Sequence, residues 1–244
     1  MEVHHTSHAP KNFKEYILEG LMIFFAVTMG FFAESLREHI IEAEREEAFM
    51  HSMWEDLKVD TARINYSITR LQSNTTAGDS LIYYYQMGKF DKSNSKKFAK
   101  FALGAGFSVD VVFNDRTSSQ LKGTGSFRLI KKKDIADSLM VYWNNQIKLD
   151  QIHNRYEETR QKQKDVGFRT FVWYPSYFGS VGAKLADNDP DIDYIINREN
   201  LAHFMNVTSS IYNTGISQYL KELKNQKQLA IHLIQNIHSS YHIE

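Results

Sequence analysis

The carboxylates of Asp187-Asn188-Asp189-Pro190-Asp191-Ile192-Asp193 fall at alternate positions, the spacing with which a calcium-binding loop begins. Such a loop needs glycine at its sixth position and a bidentate glutamate at its twelfth, and this chain has Ile192 and Arg198 there. The same residues make a helix start, with Asp189 as the cap, Pro190 in the first helical position and acids in the first turn. Lys122-Gly123-Thr124-Gly125, with Lys131 to Lys133 close by, has the cations and glycines of an anion cradle but neither the P-loop nor the dinucleotide spacing. It reads as the end of a helix and a tight turn against Phe127, Leu129 and Ile130. Histidines gather at His4, His5 and His8 and again at His232, His238 and His242, neither set with acids at a hydrolase spacing. No cysteine is present, which removes thiolate nucleophiles, disulfides and cysteine zinc sites, and there is no nucleophile elbow or HExxH. The expectation is a non-enzymatic protein with no catalytic residue, cofactor or metal.

A different kind of chemistry runs from Tyr16 to Ala33. Leu21 to Ala33 (LMIFFAVTMGFFA) carries no charge, and Glu19 is the one ionisable side chain after Tyr16. As a helix, residues 17–33 cover about 25 Å, a little short of a hydrocarbon core, with Phe13 and Tyr16 at one interface and Glu34 to Arg37 at the other. A signal peptide fits poorly, because Phe31 and Phe32 precede Ala33 where small residues belong; a buried soluble helix is the other rival. The reading is a transmembrane helix at 17–33 after a cytoplasmic tail at 1–16. Lys11 and Lys14 before it balance Arg37 and Arg45 after it, so the positive-inside rule gives no direction. A domain on the outer face of the inner membrane, in the periplasm, is the chosen topology.

Glu19 inside that segment either pairs with a polar group of another span or snorkels to headgroup water. Ala26 and Gly30, four residues apart, offer a small face where a second span can approach. Farther on, Phe168, Phe171, Trp173, Tyr174, Tyr177 and Phe178 crowd one connector, either as a lid of core rings or as an exposed partner patch, for which Phe171, Trp173, Tyr174, Tyr177 and Phe178 are the candidates.

What positions these residues is helix. The chain has 244 residues and three prolines, none of them between Pro10 and Pro175, so long helices are permitted. Residues 34–72 contain no glycine or proline, and Met50, Met53, Leu57, Ile64, Ile68 and Leu71 form a stripe at three- and four-residue steps. Ser73 to Asp79 should end that helix, with shorter helices at 80–87 and 94–103. Residues 104–130 read as an irregular connector holding a strand-like run, Phe107 to Phe113, and a short helix at 115–122. Lys132 to Lys164 forms a second long helix through Ile135, Leu139, Tyr142, Leu149, Ile152 and Tyr156. After the 166–190 connector a third runs from Asp191 to about Ser239, bent at Gly215. The expected fold class is all-α: a single transmembrane helix continuing into one up-down bundle domain at 34–244 of about four helical layers. Its order puts 104–130 near the bilayer and 166–190 at the far tip.

Two blocks carry a resemblance. A single span opening on a glutamate, an exit helix rich in Glu and Arg, and Trp54-Glu55-Asp56-Leu57 with Asp60 make the first. The second is Thr117-Ser118-Ser119-Gln120-Leu121-Lys122-Gly123-Thr124-Gly125-Ser126-Phe127-Arg128-Leu129-Ile130, running into Lys132-Lys133-Asp134-Ile135 and Tyr142-Trp143-Asn144. Together, over about a third of the chain, they resemble an uncharacterised Bacteroidetes family of single-span, membrane-anchored helical domains of unknown function. The resemblance implies the topology and assigns no reaction; the Phe-rich span is bulkier than the family's pattern.

Equal numbers of basic and acidic residues, 29 of each, argue against nucleic acid as a partner. The function expected is association: an accessory subunit of an integral membrane assembly or a homo-oligomer, with the lipid bilayer and an integral membrane protein, or a second copy, as partners. An extracytoplasmic ligand-sensing domain working through a membrane partner is the alternative, and an enzyme of unknown class the third.

Overall fold

The computed structural model describes residues 12–172 and 192–243, and these are all-α. The helices are α1 (Phe13–Gln86), α2 (Lys92–Ala105), α3 (Arg116–Gly123), α4 (Lys133–Thr170), α5 (Leu201–Ser210) and α6 (Ser217–Tyr241). A 3₁₀ turn at Ser126–Leu129 leads into α4, and a π-helical segment at Ile211–Ile216 joins α5 to α6. The chain divides into two compact units, Met1–Met50 and His51–Glu244, and α1 contributes to both.

In the first unit α1 has no buried apolar face. Phe13, Tyr16, Ile17, Leu18, Leu21 to Phe25, Val27, Met29, Phe31 and Phe32 are all exposed, on every side of the helix. This is the one stretch of the described residues long and apolar enough to cross a membrane, with a mean hydropathy of 1.8 over its most apolar 18 residues and none of those buried.

The second unit is built on the opposite plan. Met53, Leu57, Ile64, Ile68 and Leu71 turn one stripe of α1 inward, and Ile64, Ile68 and Leu71 share a core cluster with Leu149, Ile152 and Tyr156 of α4 and Ile211, Ile216, Tyr219 and Leu223 of the C-terminal run. α1 and α4 are parallel: Tyr142 reaches Asp60, and Tyr156 shares a carbonyl with Asn74. The C-terminal run is antiparallel to both, with Asn145 on Gln226, Gln163 on Thr208, Lys227 on Asn65 and Trp54 beside His238.

Three boundaries differ from the sequence reading. Ser73 to Asp79 is poor in helix formers, yet α1 continues through it to Gln86. Tertiary packing prevails there: Thr75, Thr76 and Ser80 turn their hydroxyls onto carbonyls four residues back, and Leu71 and Leu81 are buried on either side. Gly78 is needed at this point, since a Cβ would collide with the Tyr212 ring. α2 then returns only as far as Ala77, which meets Gly104, and residues 107–114 make the rest of the descent as an extended strap. The third helix starts at Leu201 instead of Asp191; the proposed caps Asp189 and Pro190 lie outside the described residues. Residues 192–200 form a loop in which Asp193 accepts the Ile195 amide and pairs with Arg198. Gly215 falls inside the π-helical segment, where helical hydrogen bonding is locally widened.

Lys122 to Gly125 behaves as expected. α3 ends at Gly123, Gly125 has φ of +68°, and Phe127 packs on Trp143 above buried Leu129 and Ile130. The Lys122 ammonium sits 4.2 Å from the centre of the Trp143 ring.

Candidate functional site

The residues behind the two resemblance blocks meet in one place. Asp56 and Asp60 stand one turn apart on α1, beside the apolar stripe, and both are 2% exposed. Asp56 Oδ2 accepts the Thr117 backbone N–H at 3.1 Å and the Thr117 hydroxyl at 2.5 Å; its Oδ1 accepts the Asn114 side-chain amide at 2.8 Å and faces Arg116 at 2.8 Å. Thr117 is the second residue of α3, whose own cap residue, Asp115, makes no side-chain cap bond. A carboxylate from α1 therefore caps α3 across 61 residues of sequence, where the helix dipole favours negative charge.

Asp60 does the equivalent work next door. It accepts the Asn114 backbone N–H at 2.7 Å and the Tyr142 hydroxyl at 2.8 Å. Burial pushes the Asp60 carboxyl above the ordinary carboxylate range, against the pull of its two hydrogen bonds and of Arg63, and nearby Asp56 adds to the rise. Burial, and then the Asp60 charge, drives the Tyr142 phenol far up, so it is a hydrogen-bond donor at any physiological pH.

Asp56, Asp60, Arg63, Ser67 and Asn74 form a ladder on α1. Beyond the two aspartates, Arg63 donates to the Val112 carbonyl, Ser67 to that of Asp110 and Asn74 to that of Phe107. The strap gets from these side chains the bonds that a strand would get from a neighbouring strand. Its alternation supplies the rest: Val109 and Val111 point into the core, while Ser108, Asp110 and Val112 are exposed. The strand-like run of the sequence is thus extended chain laid along a helix. All of this is positioning geometry, and among the described residues no group of three or more His, Asp or Glu side chains is placed to hold a metal ion. Of the histidines singled out, His238 stacks near Trp54 and His232 lies beside Asn236.

Glu19, Ala26 and Gly30 are brought onto one face of α1, seven and four residues apart, over about 16 Å. Between residues 12 and 40 every position is exposed except Glu19, which is partly covered. A Cβ on Gly30 would meet nothing within 4 Å.

The aromatic connector separates. Phe171 is 2% exposed and packs edge-on against Phe204 at 4.9 Å and beside Phe98, while its backbone bridges to Ile195. It is core and does not belong to a partner patch; Phe168, three residues earlier, is exposed. Trp173, Tyr174, Tyr177 and Phe178 lie outside the described residues. The Asp56 and Asp60 ladder is what a residue-by-residue reading of chemistry misses. Its signal was available: acids at i and i+4 immediately beside an apolar stripe have to be paired if that stripe is buried.

Comparison with family models, with curated proteins and with solved structures gives no match.

Proposed function

We propose that this chain is a single-pass, membrane-anchored helical protein that works by association. Residues 17–33 cross the inner membrane, and the His51–Glu244 unit stands on its outer face as an accessory subunit or as a self-associating scaffold. The observation that supports this reading is the apolar segment of α1, exposed on all sides in the first unit and carrying no buried stripe. Water penalises that surface by roughly 25 cal/mol for every Å² of apolar area, a cost that hydrocarbon removes. The resemblance to single-span helical domains, carried by the Asp56 and Thr117 blocks, points the same way.

Within the span, the face bearing Glu19, Ala26 and Gly30 is the contact surface for another span. Membrane hydrogen bonds contribute only about 0.6–2 kcal/mol, so Glu19→Gln should weaken assembly without abolishing it.

Gentle extraction of native membranes, cross-linking and mass spectrometry tests the proposal. Recovery of an integral membrane partner, or of cross-links between two copies, supports it. Release of the full chain by alkaline carbonate would refute the anchor, and protection of the domain from protease in intact spheroplasts would refute the orientation.

A further inference from the structure

The strap is held to α1 by a permanent ladder, but its other edge faces α4 through a histidine. His153 Nε2 lies 3.8 Å from Asp110 Oδ1 of the strap. The imidazole packs between Tyr156 and Tyr219, with ring centroids at 6.3 and 5.6 Å, and its Nδ1 is buried without a hydrogen-bond partner. Around it stand carboxylates from both elements: Asp110 from the strap, and Asp150 and Glu157 from α4. Glu157 is also bound by Arg160 and by Ser108 of the strap.

The charge pattern of this cluster is unbalanced while His153 is neutral. Burial and then the Asp110 charge raise the Asp150 carboxyl, and His153 opposes that rise. Burial works against the Glu157 carboxylate, but Arg160 and Ser108, with His153 behind them, hold it lower. From α6, the Tyr219 phenol is pushed up by burial and then by Asp110, Tyr156, Asp150 and Glu157. Burial and then Glu157 raise Tyr156 to about 12. Both phenols stay neutral and Arg160 already offsets Glu157, so the negative charges that a proton on the imidazole meets are those of Asp110 and Asp150.

We propose that His153 is a proton-operated clasp between the strap and α4: protonated, it draws Asp110 and with it the 107–114 strap against the helix; neutral, it leaves that edge of the strap to Ser108, Tyr156 and the packing of Val109, Val111 and Phe113. Imidazoles take up their proton between about pH 5 and 8. The ladder to Asp56 and Asp60 keeps the strap in register in both states, so the device tightens one edge and does not unfold the unit. It does not depend on the membrane reading, since all of its residues lie in the His51–Glu244 unit.

Hydrogen exchange of the strap amides at 109–113, in the full chain held in nanodiscs and corrected for intrinsic rates, reads the clasp. Between pH 8 and pH 5.5 exchange should slow by roughly two- to fivefold, the size of a partly exposed ion pair. Asp110→Asn, at a position whose side chain is 59% exposed and whose remaining side-chain oxygen can still accept the Val111 amide as Asp110 Oδ1 does, should abolish that pH response and leave exchange in α4 unchanged. His153→Gln should do the same. Strap exchange with the same pH profile in wild type and Asp110→Asn would overturn the proposal, as would strap protection that falls on acidification. Membrane detachment without any change in these profiles would count against the anchor alone.

Discussion

The two halves of α1 solve opposite problems with the same backbone. From Leu21 to Phe32 the helix is apolar all round and buries none of its large side chains, whereas from His51 to Leu81 it buries a narrow stripe and most of a ladder of polar groups while leaving Lys58 and Tyr66 outside. In the first half the choice of residue at any one position should matter little to the folded unit, because each side chain meets the surroundings and not a shaped cavity. In the second half each residue has a specific neighbour, so the cost of change is set by what that neighbour loses.

The sharpest way to break this contrast is a truncation made on both sides. Leu71→Ala, at a fully buried position, should cost the second unit about 2–5 kcal/mol in denaturant unfolding, and Phe25→Ala should leave the same transition where it was. A comparable loss in both variants would show that the exposed half is packed after all. Next comes Asp56→Ala, which leaves the Thr117 amide and hydroxyl and the Asn114 amide without their acceptor; a loss of about 1–3 kcal/mol is expected. Far-ultraviolet circular dichroism should meanwhile show most of the helix retained.

Glycine gives a third comparison on a single helix. Gly78→Ala places a methyl on the Tyr212 ring and should lower the melting temperature, with a cost of about 1–3 kcal/mol, whereas Gly30→Ala meets no atom and should leave the melt of the second unit unaffected. Gly30→Ala is therefore free to report on association between spans.

The smallest effect concerns Asp60. Its folded-state pKa is raised by burial, so the folded form holds the proton more tightly than the unfolded form does, and wild-type stability falls as pH rises through that window. Asp60→Asn retains an acceptor for the Asn114 amide and should cost less than about 1 kcal/mol. Unfolding measured from pH 4 to 8 should show the variant gaining on wild type as pH rises. A variant that loses ground instead would mean that the Asn114 and Tyr142 bonds outweigh the burial of charge.

The three long helical runs were legible because each carries a period that water enforces: Met53 to Leu71 and Ile135 to Tyr156 are buried where the pattern puts them, as are Phe204, Ile211, Ile216, Leu223, Leu233 and Ile237 of the last run, with Leu220 and Leu229 half-buried. The end of α1 was not legible, since residues 73–79 have the composition of a loop and are held helical by Tyr212, 138 residues away. The strap was visible as an alternating run, but a run alone does not say whether a strand or a row of side chains will take its carbonyls. Asp56 and Asp60 could be seen to need partners. Their identity, Thr117, Asn114 and Tyr142, is set by how α3 and α4 dock and has no local sequence signature.

The antiparallel course of the last helix has a further consequence, for synthesis. His238, near the C-terminus, packs beside Trp54, at the start of the second unit, and Lys132 bonds the carbonyl of Ser240. The α1–α2 hairpin closes through nearby residues such as Ala77 and Gly104 and can form early, but the far-separated contacts must wait until residues 217–240 have left the ribosome. For most of translation the emerging unit would hold an open apolar stripe on α1, and a nascent chain stalled before residue 217 should be held by chaperones and cut rapidly by protease.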